Sequence, residues 1–528
     1  MAETPSANPT MDGAAPDDQL VLRRVFAFLI MVFGMFMSIL DIQIVSASLS
    51  EIQAGLSASS SEISWVQTAY LIAEVIAIPL SGFMSRALGT RYLFAISAAG
   101  FTASSLMCGF TASIEQMIIW RAIQGFLGAG MIPTVFASAY TVFPRSKMYI
   151  VSPIIGLVAT LAPTVGPTIG GYLTDAMSWH WLFFINVLPG IGITVGVLAL
   201  VDFDEPHLEL LDKFDWVGLL SMGGFLGSLE YVLEEGPQYE WLQDASVATC
   251  ATICVLSAIV FFYRVLTARQ PIVDVRAFKN RNFAFGSAFS FCIGMGLYGL
   301  TYIYPRYLAE IRGYSAMMIG ETMFVSGACM FLSAPLVGRM ILKVDMRLMI
   351  AIGLVLFAVG TWQMTWMTRD YDFWELFLPQ VFRGVGMMLA MVPINNIALG
   401  TLDASLIKNA SGLFNLTRNL GGAVGLAIIN EMINERTDHH ITRLHDNVTW
   451  GNATAVDLLN MLTQRFQGLG DASMMALKEL TLIVHRQAAV MGFADVFFLL
   501  SVFYLAISTL VFFVDKPVVG MAAAADAH

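Results

Sequence analysis

Residues 25–47 read VFAFLIMVFGMFMSILDIQIVSA: one uninterrupted apolar run that carries a single ionisable side chain, Asp41, and is preceded by Arg23 and Arg24. At about 1.5 Å per helical residue such a run crosses the ~30 Å hydrocarbon core of a bilayer. A backbone in hydrocarbon has no water to bond, so the run is expected to be helical. Further runs of the same kind follow near 63–83, 92–110, 115–139, 150–173, 181–201, 215–233, 246–266, 283–305, 316–340, 347–367, 374–399, 411–433 and 492–514. The sequence therefore predicts an all-α, polytopic membrane protein with fourteen transmembrane helices.

Composition agrees. Of 528 residues, 57% are hydrophobic and 13% charged, with a mean hydropathy of +0.70. That is more apolar surface than soluble cores bury, and lipid must cover the rest. A formal charge of −11 leaves no basic surface to neutralise phosphates, which excludes nucleic acid as a partner. Cys108, Cys250, Cys254, Cys292 and Cys329 all fall within apolar runs and read as small buried hydrophobes. Residues 1–22 lack the apolar segment of a signal peptide and are expected to form a disordered cytoplasmic tail, with a second tail at 516–528.

If the chain starts inside, the short inner connections carry many cations, among them Arg86, Arg91, Arg145, Lys147, Lys213, Arg264, Arg276, Lys279, Arg339, Lys343 and Lys408. The short outer ones hold only Arg306, Arg312 and Arg369. This asymmetry places both termini in the cytoplasm.

An internal repeat is also legible. Pro79-Leu80-Ser81-Gly82 and Pro335-Leu336-Val337-Gly338 are each followed nine residues later by arginine, Arg91 and Arg347. Arg121-Ala122-Ile123-Gln124-Gly125 in span four matches Gln380-Val381-Phe382-Arg383-Gly384 in span twelve with Arg and Gln exchanged, and Gly170-Gly171 matches Gly421-Gly422. Each match lies eight spans apart, which predicts parallel six-helix halves, 23–203 and 282–515, separated by two inserted helices in 204–281. A substrate site is expected between the halves near the bilayer midplane.

At these residues the chain resembles the major facilitator superfamily, and within it the fourteen-span drug:proton antiporters of the EmrB/QacA type (DHA2). The resemblance runs through Leu40-Asp41-Ile42-Gln43-Ile44-Val45, Gly82 to Arg91, Arg121 to Gly125, Ala162-Pro163-Thr164-Val165-Gly166-Pro167-Thr168-Ile169-Gly170-Gly171, and Trp179 to Asn186. It implies the major facilitator fold and a proton-coupled multidrug efflux function. It also implies gating or structural roles for Gly82, Arg86, Gly89, Arg91, Gly125, Pro163, Gly166, Pro167, Gly170 and Gly171. Arg86 stands where the wider superfamily has Asp, and Thr90 replaces a basic residue. The EmrB-like subgroup is similar in carrying a basic residue at the first of these positions.

Ionisable side chains at membrane depth require partners or water. Asp41 lies roughly 25 Å and Arg121 roughly 21 Å from the inner edge, counting about 1.5 Å per residue. The expectation is an Asp41–Arg121 ion pair at a cleft, where Asp41 takes up a proton and a lipophilic or cationic drug competes for it. A helix-locking pair that never titrates is the alternative. Glu74 reads as a second proton site or a helix–helix hydrogen bond. Gln124 and Arg383, at equivalent positions of the repeat, and Glu321 near the head of span ten are candidates to line the substrate cavity; solvation competes for Glu321 and a helix–helix hydrogen bond for the other two. Glu230, on an inserted helix, is expected outside the transport path. The energy source would be the proton gradient, with no cofactor and no metal.

Residues 435–491 form the one long outer connection. Val456, Leu459, Leu462 and Phe466 recur there at helical spacing, and a second stretch runs from Met474 toward Asp495. It is either a cap or a docking surface for a periplasmic EmrA-like adaptor with an outer-membrane channel, as the resemblance implies for a bacterial inner-membrane pump. No nucleophile, metal or acid–base cluster marks an enzyme. Export of one metabolite, such as a siderophore or fatty acid, fits the same motifs.

Overall fold

The computed structural model describes residues 18–46, 48–268, 270–468 and 470–516. Among them there are helices and no strands. In chain order these are α1 (Asp18–Ser46), the short α2 (Leu49–Leu56) and α3 (Ser60–Ile63), α4 (Trp65–Gly109), α5 (Ile114–Gly128), α6 (Met131–Val142), α7 (Met148–Ala176), α8 (Trp181–Phe184), α9 (Val187–Leu200), α10 (Trp216–Glu235) and α11 (Ala245–Thr267). They continue with α12 (Arg281–Glu310), α13 (Ala316–Ile341), α14 (Met346–Gln363), α15 (Phe373–Leu399), α16 (Ala404–His445), α17 (Ala453–Arg465) and α18 (Ala472–Ser508). Polar caps start many of them. Ser113, Asp215, Asp244, Asn280, Ser315 and Asp345 each accept a backbone N–H of the first turn.

Twelve stretches among the described residues are long and apolar enough to cross a membrane, so the chain is a multi-pass membrane protein. One of them, α4, has 45 residues, which would reach about 68 Å as a straight rod, twice a bilayer core. It breaks at Gly89, whose φ of 76° is a left-handed conformation that glycine adopts without a Cβ clash. α16 is less apolar than these twelve because Lys408, Asn409, Asn415, Arg418 and Asn419 crowd its first turns, yet all of these are buried or partly buried against neighbours within the bundle.

The helices form two groups. α1 packs on α7 and α9, and α4 on α5 and α9; on the other side α12 packs on α16, α13 on α15, and α14 on α15 and α18. The groups meet where α7 touches α13 and α15, and where α16 touches α4 and α6. α10 lies against α4 and α16, and α11 lies outside α10 with Val255, Leu256, Ile259 and Leu266 exposed. Such a face suits lipid contact.

Both described chain ends lie on one face, here the terminal face. Arg23 donates to the carbonyl of Ala199, Arg281 pairs with Asp515, and Arg347 donates to the carbonyl of Val514. On the opposite, far face the expected loop 435–491 is mostly helix. α16 runs on to His445, α18 already begins at Ala472, and α17 packs on α18 through Leu462, Ala476 and Leu480. His440 and Arg436 both bond Asp495, at 2.9 and 3.2 Å, and so tie the two helix extensions together. Helix begins at Asp18, inside the stretch 1–22 expected as a tail; residues 1–17 and 517–528 of the two expected tails lie outside the described residues.

Candidate transport site

Two polar centres occupy the bundle at membrane depth. The first is closed. Arg121 Nη1 lies 2.6 Å from Asp41 Oδ2, and both side chains are 0% exposed. Arg121 also donates to Gln124 Oε1 at 2.8 Å and to the carbonyl of Val66 at 3.2 Å, with its guanidinium 4.2 Å from the centre of the Tyr70 ring. Gln124 Nε2 and Asn186 Nδ2 donate to Asp41 Oδ1 at 3.2 and 2.7 Å, and Asn186 reaches on to Ser105 Oγ. One helical turn of α5 thus presents Arg121 and Gln124 together, i and i+3. Gly125 lets that turn press on α4, since a Cβ there would collide with the carbonyl of Tyr70.

The second centre is a cavity of about 450 Å³ between the two helix groups. It reaches the surface at the far face, where Ser46, Ala309 and Glu310 are exposed. Its wall is mainly apolar and aromatic, with Ile42, Leu71, Val75, Tyr298 and Tyr302, but it also carries Glu74 of α4 and Glu230 and Glu234 of α10. Glu74 is 1% exposed, and its Oε1 has no hydrogen-bond partner among the described residues. Arg306, the one cation lining the cavity among the described residues, is held by Glu310, Tyr302 and Asn430 at 2.8, 3.1 and 3.2 Å.

This arrangement differs from the sequence expectation in four respects. The ion pair forms, but Asp41 does not line the cavity: the next residues, Ile42 and Gln43, do, and about 100° of helical rotation per residue turns Asp41 toward α5 and α9 instead. Gln124 lies in the Asp41 network. Arg383 is buried within its own helix group, beside Gln380, Met323 and Tyr304, and Glu321 is exposed on α13, so none of the three lines the cavity. Glu230, expected outside the path, lies in the cavity wall because α10 packs directly on α4. Sequence reasoning misses Asn186, Tyr70 and Glu234; Asn186 alone carries a signal, as the last residue of the Trp179 to Asn186 motif.

The terminal face is sealed. Asp204 accepts from the Thr90 backbone N–H at 2.9 Å and its hydroxyl at 3.1 Å, and pairs with Lys408 at the head of α16. Lys408 also donates to the carbonyl of Ser85 at 3.1 Å. Gly82 meets the backbone of Lys408 and Asn409 so closely that a Cβ would lie 3.0 Å from it. Arg91 donates to the carbonyl of Leu198. Asn409 Nδ2 donates to the carbonyl of Asp274, whose carboxylate lies within electrostatic reach of Arg86. Burial pushes the Asp274 carboxyl up, but hydrogen bonds and charge from Arg276 outweigh it and hold the group below its ordinary range. In α7, Gly166 and Gly170 rest on Gln43 and Ile44 of α1, Pro167 reaches the cavity, and Pro163 and Gly171 are buried.

The major facilitator superfamily profile matches residues 31–426. The colistin resistance protein EmrB of Acinetobacter baumannii is 41% identical over 492 residues, covering 93% of this chain and 96% of that protein. The multidrug export protein EmrB of Escherichia coli K12 is 28% identical, covering 91% and 93%, and the fatty acid resistance protein FarB of Neisseria gonorrhoeae 27%, covering 92% and 94%. Among solved structures, the human organic anion transporter MFSD10 superposes with a TM-score of 0.57 at 13% identity, over 91% of this chain and 99% of that one. With a sealed terminal face, a cavity between two helix groups and relatives matched over nearly their whole length, the chain belongs to the major facilitator superfamily, in its EmrB/QacA branch, and is a membrane transporter rather than an enzyme.

Proposed function

We propose that the protein is a proton-coupled exporter of lipophilic cations that works by alternating access, with Glu74 as the carboxylate for which proton and substrate compete. The observation that carries this reading is the buried Glu74, its Oε1 unpartnered among the described residues, in the wall of a mainly apolar cavity that is open at one face and sealed at the other. A carboxylate out of water and without a partner is stabilised either by a proton or by a bound cation, so each occupant displaces the other. Arg121 lies within electrostatic reach of Glu74 as well as of Asp41. The closed Asp41 network therefore senses whether Glu74 is charged, and we assign Asp41 and Arg121 a coupling role without contact to substrate. Export then requires release of Lys408 from Asp204 and Ser85, which opens the terminal face, and closure of the far one.

In this reading twelve spans, the second crossing made by the break in α4, and α16 give fourteen crossings, arranged as two six-helix halves plus α10 and α11. The terminal face is cytoplasmic, in a bacterial inner membrane. The head formed by α16, α17 and α18 stands in the periplasm, where it is a candidate contact for an adaptor and outer-membrane channel. Colistin and fatty acid appear in the names of relatives; four cavity carboxylates against one arginine disfavour a free fatty acid anion here and favour cations.

In proteoliposomes, Glu74→Gln is expected to lower tetraphenylphosphonium-driven proton release at least about tenfold, the equivalent of ~1.4 kcal/mol. Undiminished release would remove Glu74 from the mechanism. Dissipating the gradient with an uncoupler is expected to stop export in the wild type; continued transport would indicate a passive channel.

A further inference from the structure

We propose that α10, one of the two inserted helices, carries a second anionic subsite, formed by Glu230 and Glu234, that receives the further positive charge of a dicationic or polycationic amphiphile. The inference rests on the cavity being a cation-transport site and adds the charge class of its substrates. Glu230 and Glu234 are one helical turn apart, so they present their carboxylates on the same face, and both line the cavity. Glu230 is 5% exposed and has no hydrogen-bond or ion-pair partner among the described residues. It lies within electrostatic reach of Glu74 on the neighbouring helix. The approach of the two helices is close, because Gly223 and Gly227 of α10 meet Ile72 and Ile76, the residues that flank Glu74 on α4.

The charges do not balance inside the wall. Four carboxylates line the cavity against one cation, Arg306, whose charge Glu310 at the rim already matches, so Glu74, Glu230 and Glu234 are left over. A singly charged ligand seated at Glu74 leaves the buried Glu230 and the partly exposed Glu234 without a counter-charge, an unfavourable state in low dielectric. A ligand with two separated cationic groups satisfies both helices at once, while its apolar linker meets Leu71, Tyr298 and Tyr302. Tyrosine faces add favourable contact for such groups. The inserted helix is then part of the substrate site and sets how many charges the site accepts.

The test compares decyl-triphenylphosphonium with decane-1,10-bis-triphenylphosphonium, by calorimetric binding to the purified full-length protein in nanodiscs. The wild type is expected to bind the bis-cation at least tenfold more tightly than the mono-cation, and Glu230→Gln/Glu234→Gln to bring that ratio to within about twofold of one. A wild-type ratio near one, a ratio kept by the double variant, or an equal loss of both ligands would each overturn the subsite. Should the double variant not fold, Glu234→Gln alone, at the partly exposed position, is expected to cut the ratio at least threefold; an unchanged ratio there also overturns it. Failure of the underlying reading looks different: neither phosphonium would bind the wild type at all.

Discussion

Arg121 and Arg383 sit in matching five-residue frames, and their surroundings differ most in the charge they meet. Each is fully buried, each donates to a glutamine three residues away on its own helix, at 2.8 and 3.2 Å, and each lies over a tyrosine ring. Arg121 has a carboxylate and the Val66 carbonyl; among the described residues Arg383 has no carboxylate, its Nη1 also meets the Met323 sulfur at 3.9 Å, and its Nε and Nη2 are unpartnered. The reason is visible on α12, which carries no acidic residue between Arg281 and Glu310, whereas α1 supplies Asp41. The same scaffold thus holds an ionisable network in one helix group and an unpaired cation in the other.

The largest expected effect tests that asymmetry on the paired side. Arg121→Leu strands Asp41 in a dry interior with two amide donors only, and breaking a buried pair this way costs about 3–5 kcal/mol. Thermal unfolding in detergent should show the loss, and adding Asp41→Asn should recover part of it. Equal stability of Arg121→Leu and wild type would mean that the pair contributes nothing. A middle-sized effect tests what the frames share. Gly125 faces the Tyr70 carbonyl and Gly384 the Ser326 carbonyl, each too close for a Cβ. Gly125→Ala and Gly384→Ala are each expected to lose about 1–3 kcal/mol through forced backbone shifts, by similar amounts. If one is tolerated and the other not, the two frames do not pack alike.

Much of this comparison is legible in the residues, and its limits have a physical cause. Hydrocarbon forces helix wherever apolar length suffices, so the spans are readable, and rise per residue places Asp41 and Arg121 at a common depth. Rotation about the helix axis is not readable. Buried Asp41 and cavity-lining Ile42 are adjacent in sequence, and hydropathy is the same whichever way α1 turns. Glu230 reads as outside the path because it lies on an inserted helix; its actual position depends on how α10 docks on α4. Asp204 and Lys408 stand only as charges in connections, since nothing local shows that residues 204 apart in sequence meet. The ends of α16 and α18 read as loop beyond the apolar runs, and it is tertiary pairing through His440 and Asp495 that supports them as helix.

The smallest expected effect falls on the unpaired side. Arg383→Met removes a guanidinium that is charged, dry and without an anion, together with one hydrogen bond to Gln380. Relief from desolvation favours the variant, and the missing hydrogen bond disfavours it. Replacing buried charge by an apolar side chain of similar volume is often neutral or stabilising. Unfolding in detergent should therefore shift by no more than about 1 kcal/mol, or rise, against the 3–5 kcal/mol loss for Arg121→Leu. A loss as large as that of Arg121→Leu would mean that Arg383 meets an anion the present conformation does not show, and the two frames would then differ in state rather than in chemistry.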